Sequence, residues 1–121
     1  MNPFDTVHEF ERVVADYSGA PYSIATDCCS HAIFLSAIYY KQKYGACTVT
    51  MPKNTYVSAP MQMIHAGFDV EFIDKQWSGV YPIEPTNIVD GAPRFTYNMY
   101  MKGTYHCLSF QFKKILSTGR G

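Results

Sequence analysis

The feature that most constrains the fold is the alternation of short apolar segments with longer, helix-like segments. The short segments have the length and residue types of buried strands, and they span residues 22–26, 47–51, 69–74, 87–92 and 105–110. Residues 31–45 and 56–67 have the apolar content and length of helices. Strands and helices that alternate in this way pack as a mostly parallel sheet with right-handed crossovers. The sequence therefore predicts an α/β fold of three layers.

A further helix is predicted at the start of the chain. Asn2 is a good N-cap residue, Pro3 suits a first helical turn, and Gly19 interrupts the apolar spacing that follows. Helix 31–45 is apolar on nearly every side, which indicates packing between layers. The polar side chains that precede it are expected to cap it. Residues 75–86 are rich in turn formers, so no helix or strand is predicted there.

Composition excludes several classes of protein. The 121 residues suffice for one domain with a modest core, and 10 basic residues balance 10 acidic ones. This balance gives no electrostatic basis for binding nucleic acid or an anionic membrane. No signal peptide and no apolar run of bilayer length is present, so a cytoplasmic location is expected.

The cysteines and histidines show no metal-binding pattern. The four cysteines have neither zinc-site nor disulfide-scaffold spacing, and three histidines and the adjacent pair Cys28–Cys29 do not match a known ligand geometry. The histidines considered are His31, His65 and His106. Buried thiols and hydrogen-bonded imidazoles are the simpler interpretation. No metal is predicted.

Ligands of a parallel sheet bind at the carboxyl ends of its strands. That edge would bring together residues 27–31, 54–56, 90–93 and 109–114. They contribute a helix start that favours an anion, an aromatic ring, an acid, hydroxyl groups and a lysine.

These segments resemble, in order, the motifs of the DegT/DnrJ sugar aminotransferases, which are pyridoxal-phosphate (PLP) enzymes of fold type I. "ATDCCSHAIFLSAI" resembles the Ser-Gly-Thr-x-Ala-Leu helix start of the family. "TVTMPKNTYVSAPMQMIHAGFDVEFID" resembles its Val-Pro-x-x-Thr-Phe/Tyr strand, turn and helix with the strand that follows. "IVDGAP" resembles Glu-Asp-Ala-Ala-Gln, and "SFQFKKILSTGRG" resembles Ser-Phe-His-x-x-Lys-x-x-x-Thr-Gly-Glu-Gly-Gly.

The resemblance implies a catalytic lysine and two contacts to the cofactor ring. Lys114, five residues after Ser109, takes the position of the lysine that binds PLP and acts as general base. Asp90 takes the position of the acid that pairs with the pyridinium nitrogen, and Tyr56 that of the aromatic ring stacked on the cofactor. Lys113 is expected to be a surface residue.

The resemblance also implies a phosphate site. Ser30 and the N–H group of His31 open a helix, and Ser109 supplies a second hydroxyl. Pro93 replaces the glutamine of the family motif, so its amide contact is lost or supplied by another residue such as His31. Without the resemblance, each residue has an ordinary role: solvated lysine, turn aspartate, packing tyrosine or cap serine.

The resemblance implies an aminotransferase that transfers an amino group, with glutamate as the expected donor, to a nucleotide-linked keto-sugar in polysaccharide or amino-sugar biosynthesis. Residues 1–121 then correspond to a truncated N-terminal part of the PLP-binding large domain, without the small C-terminal domain. The expected partner is a second copy, forming a homodimer, or a missing C-terminal half.

Two alternatives remain open from the sequence. The connection between Asp74 and Asp90 is shorter than the family pattern, which favours a non-catalytic remnant or half of a split enzyme. A nucleotide-binding module that uses residues 117–121 as a phosphate loop is the weaker alternative, because the loop lacks the Gly-x-x-x-x-Gly-Lys-Ser/Thr pattern.

Overall fold

The computed structural model describes residues 2–111, Lys114 and Ser117, and these residues include three helices and five strands. The elements in chain order are α1 (Phe4–Ser18), α2 (Cys29–Tyr44), β1 (Thr48–Pro52), α3 (Ser58–His65), β2 (Asp69–Ile73), β3 (Tyr81–Ile83), β4 (Ile88–Asp90) and β5 (Tyr105–Cys107). Helices and strands alternate from α2 to β2, and three strands follow. The chain is therefore of the α/β class, as predicted.

The strands form two sheets joined by one isolated bridge. β1 pairs with β2 in parallel, with Thr48 opposite Asp69. In the second sheet, the central strand β4 is antiparallel to β3 and parallel to β5. Thr50 of β1 forms an antiparallel bridge with Glu84, directly after β3, and its N–H donates to Glu84 O at 2.8 Å. β1, β2, β4 and β5 consequently run in one direction, so their carboxyl ends lie on one side.

The hydrophobic core lies between the strands and the two helices α2 and α3. Ile33 and Ala37 of α2 are buried, and so are Ala59 and Met63 of α3. The strands and their connections contribute Val49, Met51, Phe68, Tyr81, Ile83, Ile88 and Cys107 to the same cluster. Removing this apolar surface from water is the main stabilising contribution to the fold. It also fixes the ends of β1 and β4 relative to α2 and α3.

Helix α2 buries one face rather than all of its circumference. Leu35 is 55% exposed and Tyr39 50% exposed, so the expectation of a helix enclosed between layers is wrong for this outer face. The apolar composition misled because the residues on the outer face are apolar as well. Within the described part of the chain, no helix has both the length and the apolar character needed to cross a bilayer.

The segment 22–26, predicted as a strand, is not one. Two groups of this segment donate hydrogen bonds to Glu11 of α1. Ala25 N–H donates to Glu11 Oε1 at 2.9 Å, and Ser23 Oγ donates to Glu11 O at 2.6 Å. A strand needs a neighbouring strand to satisfy its backbone. No described strand pairs with this segment, so its apolar residues are not sufficient to make it a strand.

Strand β3 was not predicted, since it lies in the turn-rich region 75–86. Its three residues include Pro82, which has no N–H group and argued against a strand. The strand is nevertheless paired on β4, with Tyr81 opposite Asp90 and Ile83 opposite Ile88. Burial of Tyr81 and Ile83 supplies the stabilisation that local sequence preference does not.

The helix starts are only partly as predicted. Asn2 Oδ1 accepts a hydrogen bond from Phe4 N–H at 3.0 Å, the capping contact expected for α1. Helix α2 begins at Cys29, and no side chain caps it, so the expected capping by residues 27–30 is wrong. Pro60 stands in the first turn of α3, where the missing N–H group costs no helical hydrogen bond.

We predict that Met63→Ala lowers the free energy of unfolding by about 2–5 kcal/mol, because it leaves a cavity at a fully buried position of α3. Met61→Ala on the same helix is the matched control. Met61 is 51% exposed, and its loss should change the free energy by about 0.5 kcal/mol or less. Urea denaturation followed by circular dichroism measures both, and equal effects would contradict the described packing of α3.

Candidate functional site

Asp90 lies at the carboxyl end of β4 and is only 5% exposed. Its Oδ1 accepts a hydrogen bond from the N–H of Ala92 at 3.0 Å, and its Oδ2 accepts one from the hydroxyl of Tyr81 at 3.0 Å. A buried carboxylate that accepts two hydrogen bonds still has lone pairs for further donors. Asp90 is thus a fixed acceptor at the edge of the sheet.

Tyr81 extends the hydrogen-bond chain from Asp90 to the end of β1. Its hydroxyl lies 2.6 Å from Thr55 Oγ1. The Tyr81 ring makes an edge contact with Trp77, with 4.7 Å between the ring centroids, and Trp77 Nε1–H donates to Asn54 O at 2.8 Å. The connection after β1, the strand β3 and the end of β4 are therefore joined by side chains.

Burial dominates the electrostatics of this site. It raises the pKa of Asp90, and the Ala92 N–H group, the Tyr81 hydroxyl and the Lys114 ammonium group partly offset the rise. Burial also raises the pKa of the Cys29 thiol and of the Tyr81 hydroxyl, and the charge of Asp90 adds to both shifts. Both groups are therefore neutral near pH 7. Asp90 is the carboxylic acid of this site whose pKa is raised.

Lys114 is electrostatically coupled to Asp90. It is half-buried, its N–H donates to Gln111 O at 2.9 Å, and its charge lowers the pKa of both Asp90 and Cys29. The segment that leads to Lys114 is anchored by Phe110, which is 5% exposed and packs edge-on against two other rings. These rings are Phe10 of α1 at 5.3 Å and Phe95 at 5.1 Å between centroids.

The first turns of α2 and α3 meet at two hydroxyl groups. Ser30 Oγ donates to Ser58 Oγ at 2.8 Å, and both residues stand where helical N–H groups lack helical partners. His31, in the next position of α2, is exposed, and its Nδ1 lies 2.5 Å from Asp27 Oδ1. The positive ends of two helix dipoles at this pair favour an anion.

Among the residues that the structure describes, the side chains of Tyr56 and Ser109 make no hydrogen bond. Tyr56 is 78% exposed just before α3, so its ring is free to stack on a ligand. Ser109 is half-buried between Cys107, the last residue of β5, and Phe110. Lys113 and the loop 117–121 apart from Ser117 lie outside the described residues.

The structure brings some of the six predicted residues together more closely than others. The charge of Lys114 acts on Asp90. Ser30 and His31 lie together in the first turn of α2. Tyr56 is the residue after Thr55, whose hydroxyl contacts Tyr81. Sequence reasoning missed Ser58 and Tyr81, and it included Thr55 in the range 54–56 without giving it a role. The β-forming run "VYPI" after Gly79 was the available signal for Tyr81, and its proline concealed it.

A cavity of about 640 Å³ lies beside some of these residues, since Cys28, Leu108 and Phe110 line it. It is bordered by α1, the segment 20–26, the outer face of α2, residues 99–104 and β5. None of the six predicted residues lines it. The cavity is largely apolar and offers no cluster of acid, lysine and hydroxyl groups, so its size does not make it the better candidate for the reaction site.

Asp27, Cys28 and His31 each bring one potential ligand atom within 4.8 Å of the others. All three stand at the start of α2, and the side chains of Asp27 and His31 are 73% and 54% exposed. Their carboxylate and imidazole already pair with each other, which lowers the pKa of Asp27. We propose no metal site at these residues.

Comparison with known proteins gives one match. Residues 2–89 match the model of the DegT/DnrJ/EryC1/StrS aminotransferase family. The matched range includes Ser30, His31 and Tyr56, and it ends one residue before Asp90. Searches of curated proteins and of solved structures found no match.

The raised pKa of Asp90 predicts a pH dependence of stability. The folded chain binds the proton of Asp90 more tightly than the unfolded chain, so the free energy of unfolding should fall as pH rises from about 3.9, the ordinary aspartate value, to the raised value in the folded state. Above that pH the contribution is constant. Asp90→Asn should lack this fall, whereas Asp74→Asn, at an exposed position, should retain it. Urea denaturation at a series of pH values measures the slopes, and identical slopes in the two variants would contradict the prediction.

Proposed function

The chain belongs to the DegT/DnrJ/EryC1/StrS aminotransferase family, and from this membership we propose that it acts in PLP-dependent amino transfer. The observation that carries the proposal beyond the family is the buried carboxylate of Asp90 at the carboxyl end of β4, held by hydrogen bonds from Tyr81 and Ala92. Such an acid suits the nitrogen end of a PLP ring, and the family pattern assigns the aldehyde end to Lys114. The family match covers residues 2–89, Asp90 is the next residue, and Lys114 lies further along the chain, outside the match.

The residues present fit the cofactor. The buried Asp90 retains lone pairs for a protonated ring nitrogen, and the hydroxyl pair of Ser30 and Ser58 lies between two helix starts, where a phosphate is favoured. Tyr56 is exposed and available for stacking. We therefore propose that Asp90 would hold the ring nitrogen, Tyr56 the ring face, and Ser30, the N–H group of His31 and Ser109 the phosphate, with Ser58 as an addition to the sequence-based set.

The cofactor, when bound, supplies an aldehyde that accepts an amino group and a ring that withdraws electrons. The chain supplies the environment for that chemistry. Asp90 keeps the ring nitrogen protonated, and Tyr56 orients the ring. Lys114 Nζ would hold the cofactor and, once released, would be the base for the proton on the α-carbon of the amino donor. The low-dielectric surroundings of Asp90 strengthen its attraction for a cation.

We propose a nucleotide-linked keto-sugar as the acceptor and glutamate as the amino donor, in polysaccharide or amino-sugar biosynthesis. The support is family resemblance alone, since no described residue outside the cofactor contacts identifies a sugar. Incubation of the PLP-loaded protein with glutamate and candidate keto-sugars would test this by product mass. Amination of simple keto acids in preference to keto-sugars would refute it.

For the fold, we propose that the two sheets form part of a three-layer, mostly parallel large domain of fold type I. The common direction of four strands supports this proposal, as does the open edge of β5. β5 pairs only with β4 among the described residues, and segment 22–26, which lines the same cavity as β5, has no strand partner among them. A second copy or a further polypeptide would complete this edge. Sedimentation analysis tests the pairing, and a strictly monomeric chain at high concentration would exclude the homodimer.

The second candidate is a non-catalytic member that binds PLP or a partner chain without turnover. It is favoured by the short connection between β2 and β4, which provides only the three residues of β3 as regular structure. The two candidates differ in the response to glutamate. A shift of bound PLP absorbance to that of pyridoxamine phosphate supports amino transfer, and an unchanged spectrum supports the non-catalytic candidate.

We predict that borohydride reduction of the PLP-loaded protein fixes the cofactor to Lys114, because this lysine is coupled to the site of Asp90. Lys114→Ala should lose covalent labelling by at least about tenfold, the order expected for removal of the only nucleophile at a site. Lys113→Ala is the matched control and should label normally. Peptide mass spectrometry identifies the modified residue, and labelling at any residue other than Lys114 would refute the assignment.

A further inference from the structure

Asp90 is held by a side chain that no sequence motif indicated. Among the described residues it is the one charged side chain that is buried. One of its hydrogen bonds comes from the backbone N–H of Ala92, two residues along the chain. The other comes from the hydroxyl of Tyr81, which stands opposite Asp90 in the β3–β4 pair. Strand β3 therefore contacts the Asp90 carboxylate through the hydroxyl of Tyr81.

Contacts other than the hydrogen bond to Asp90 already fix the position of the Tyr81 hydroxyl. The side chain is 1% exposed, and its ring packs edge-on against Trp77. Thr55 Oγ1 lies on the other side of the hydroxyl at 2.6 Å. Because the ring is already immobilised by packing, the hydrogen bond to Asp90 costs little additional conformational entropy.

The protonation state of Asp90 determines the direction of this hydrogen-bond chain. An ionised carboxylate only accepts, so Tyr81 then donates to Asp90 and Thr55 donates to Tyr81. A protonated Asp90 could donate to Tyr81 instead, and Tyr81 would then donate to Thr55. The first arrangement stabilises the ionised acid, because hydrogen bonds to charged groups are the stronger kind.

We propose that Tyr81, oriented by Thr55, is a positioning residue that holds Asp90 ionised and in place, with its remaining lone pairs available to a protonated nitrogen of a bound ring. The identification of the ring as PLP rests on the proposed function. The effect of Tyr81 on Asp90 is independent of the proposed function. The two statements can therefore be tested separately.

Tyr81 is the neighbour of Asp90 at which a hydrogen bond can be removed by mutation without a change of charge. Cys29 of α2 and Cys107 of β5 interact with its charge, and burial raises the pKa of both thiols, for Cys107 to about 12. Both thiols are therefore uncharged at neutral pH. Lys114 is the cation whose charge acts on Asp90. A change at Tyr81 thus alters a hydrogen bond without removing a charge.

The decisive variant is Tyr81→Phe, which removes the hydroxyl and keeps the ring against Trp77. Without added PLP, the titration midpoint of the Asp90 carboxyl, followed by carbon-13 NMR, should rise by about one pH unit or more. Tyr100→Phe is the matched control, since it removes a tyrosine hydroxyl that donates to Thr104 O at 3.1 Å away from Asp90. Its Asp90 midpoint should match that of the unaltered protein.

The second readout is PLP affinity at neutral pH. Tyr81→Phe should weaken binding roughly tenfold, the order expected for loss of a hydrogen bond to a charged group. In the Asp90→Asn background the same change should alter affinity by less than about twofold, since the acid on which Tyr81 acts is absent. Equal weakening in both backgrounds would refute a role through Asp90.

The outcomes separate the two proposals. If Tyr81→Phe does not fold, Thr55→Val takes its place and should give a smaller rise of the Asp90 midpoint in the same direction. An unchanged midpoint overturns the positioning role, whether or not PLP binds. A raised midpoint in a protein that binds no PLP supports the positioning role and refutes the proposed function.

Discussion

The burial of one carboxylate at the end of β4 is the constraint on which the rest of the site depends. Asp90 lies between the core and the carboxyl end of β4, where an acid loses hydration and gains two hydrogen bonds from the described residues. Its raised pKa is the physical sign of that loss. The neighbouring hydroxyl of Tyr81 and the ammonium group of Lys114 oppose it. The position is therefore costly for the fold unless positive charge lies near the carboxylate.

This arrangement also explains the role of the short strand β3. Three residues in an antiparallel strand contribute little to a sheet by themselves, and Pro82 lacks a donor. Their value lies in the side chains, since Tyr81 reaches both Asp90 and Thr55. The strand thereby links the carboxyl ends of β1 and β4, at the edge where parallel strands bind ligands. The shortened connection before β4 thus retains a specific structural function.

Much of the fold followed from local patterns. The helices α1, α2 and α3 and the strands β1, β2, β4 and β5 all fall within or near the predicted segments. These failures have a common cause, because in each the outcome depended on what packs or pairs with the segment from outside it. Segment 22–26 has strand-like residues but no strand beside it, whereas β3 has turn-like residues and pairs with β4. Leu35 is exposed because it lines a cavity that the facing elements border but do not fill.

For the candidate site too, local sequence patterns indicated some features and tertiary packing decided the others. The residue types and their order in the chain were sufficient to single out Ser30, Tyr56, Asp90 and Lys114 and to identify the family, because motif spacing is a local property. Only the tertiary structure decided that Asp90 is buried and that Ser30 meets Ser58, since burial and hydroxyl contacts arise from elements packed far apart in sequence. The same holds for Tyr81. Its hydrogen bond to Asp90 exists because two antiparallel strands place them opposite each other, a relation that pairing alone creates.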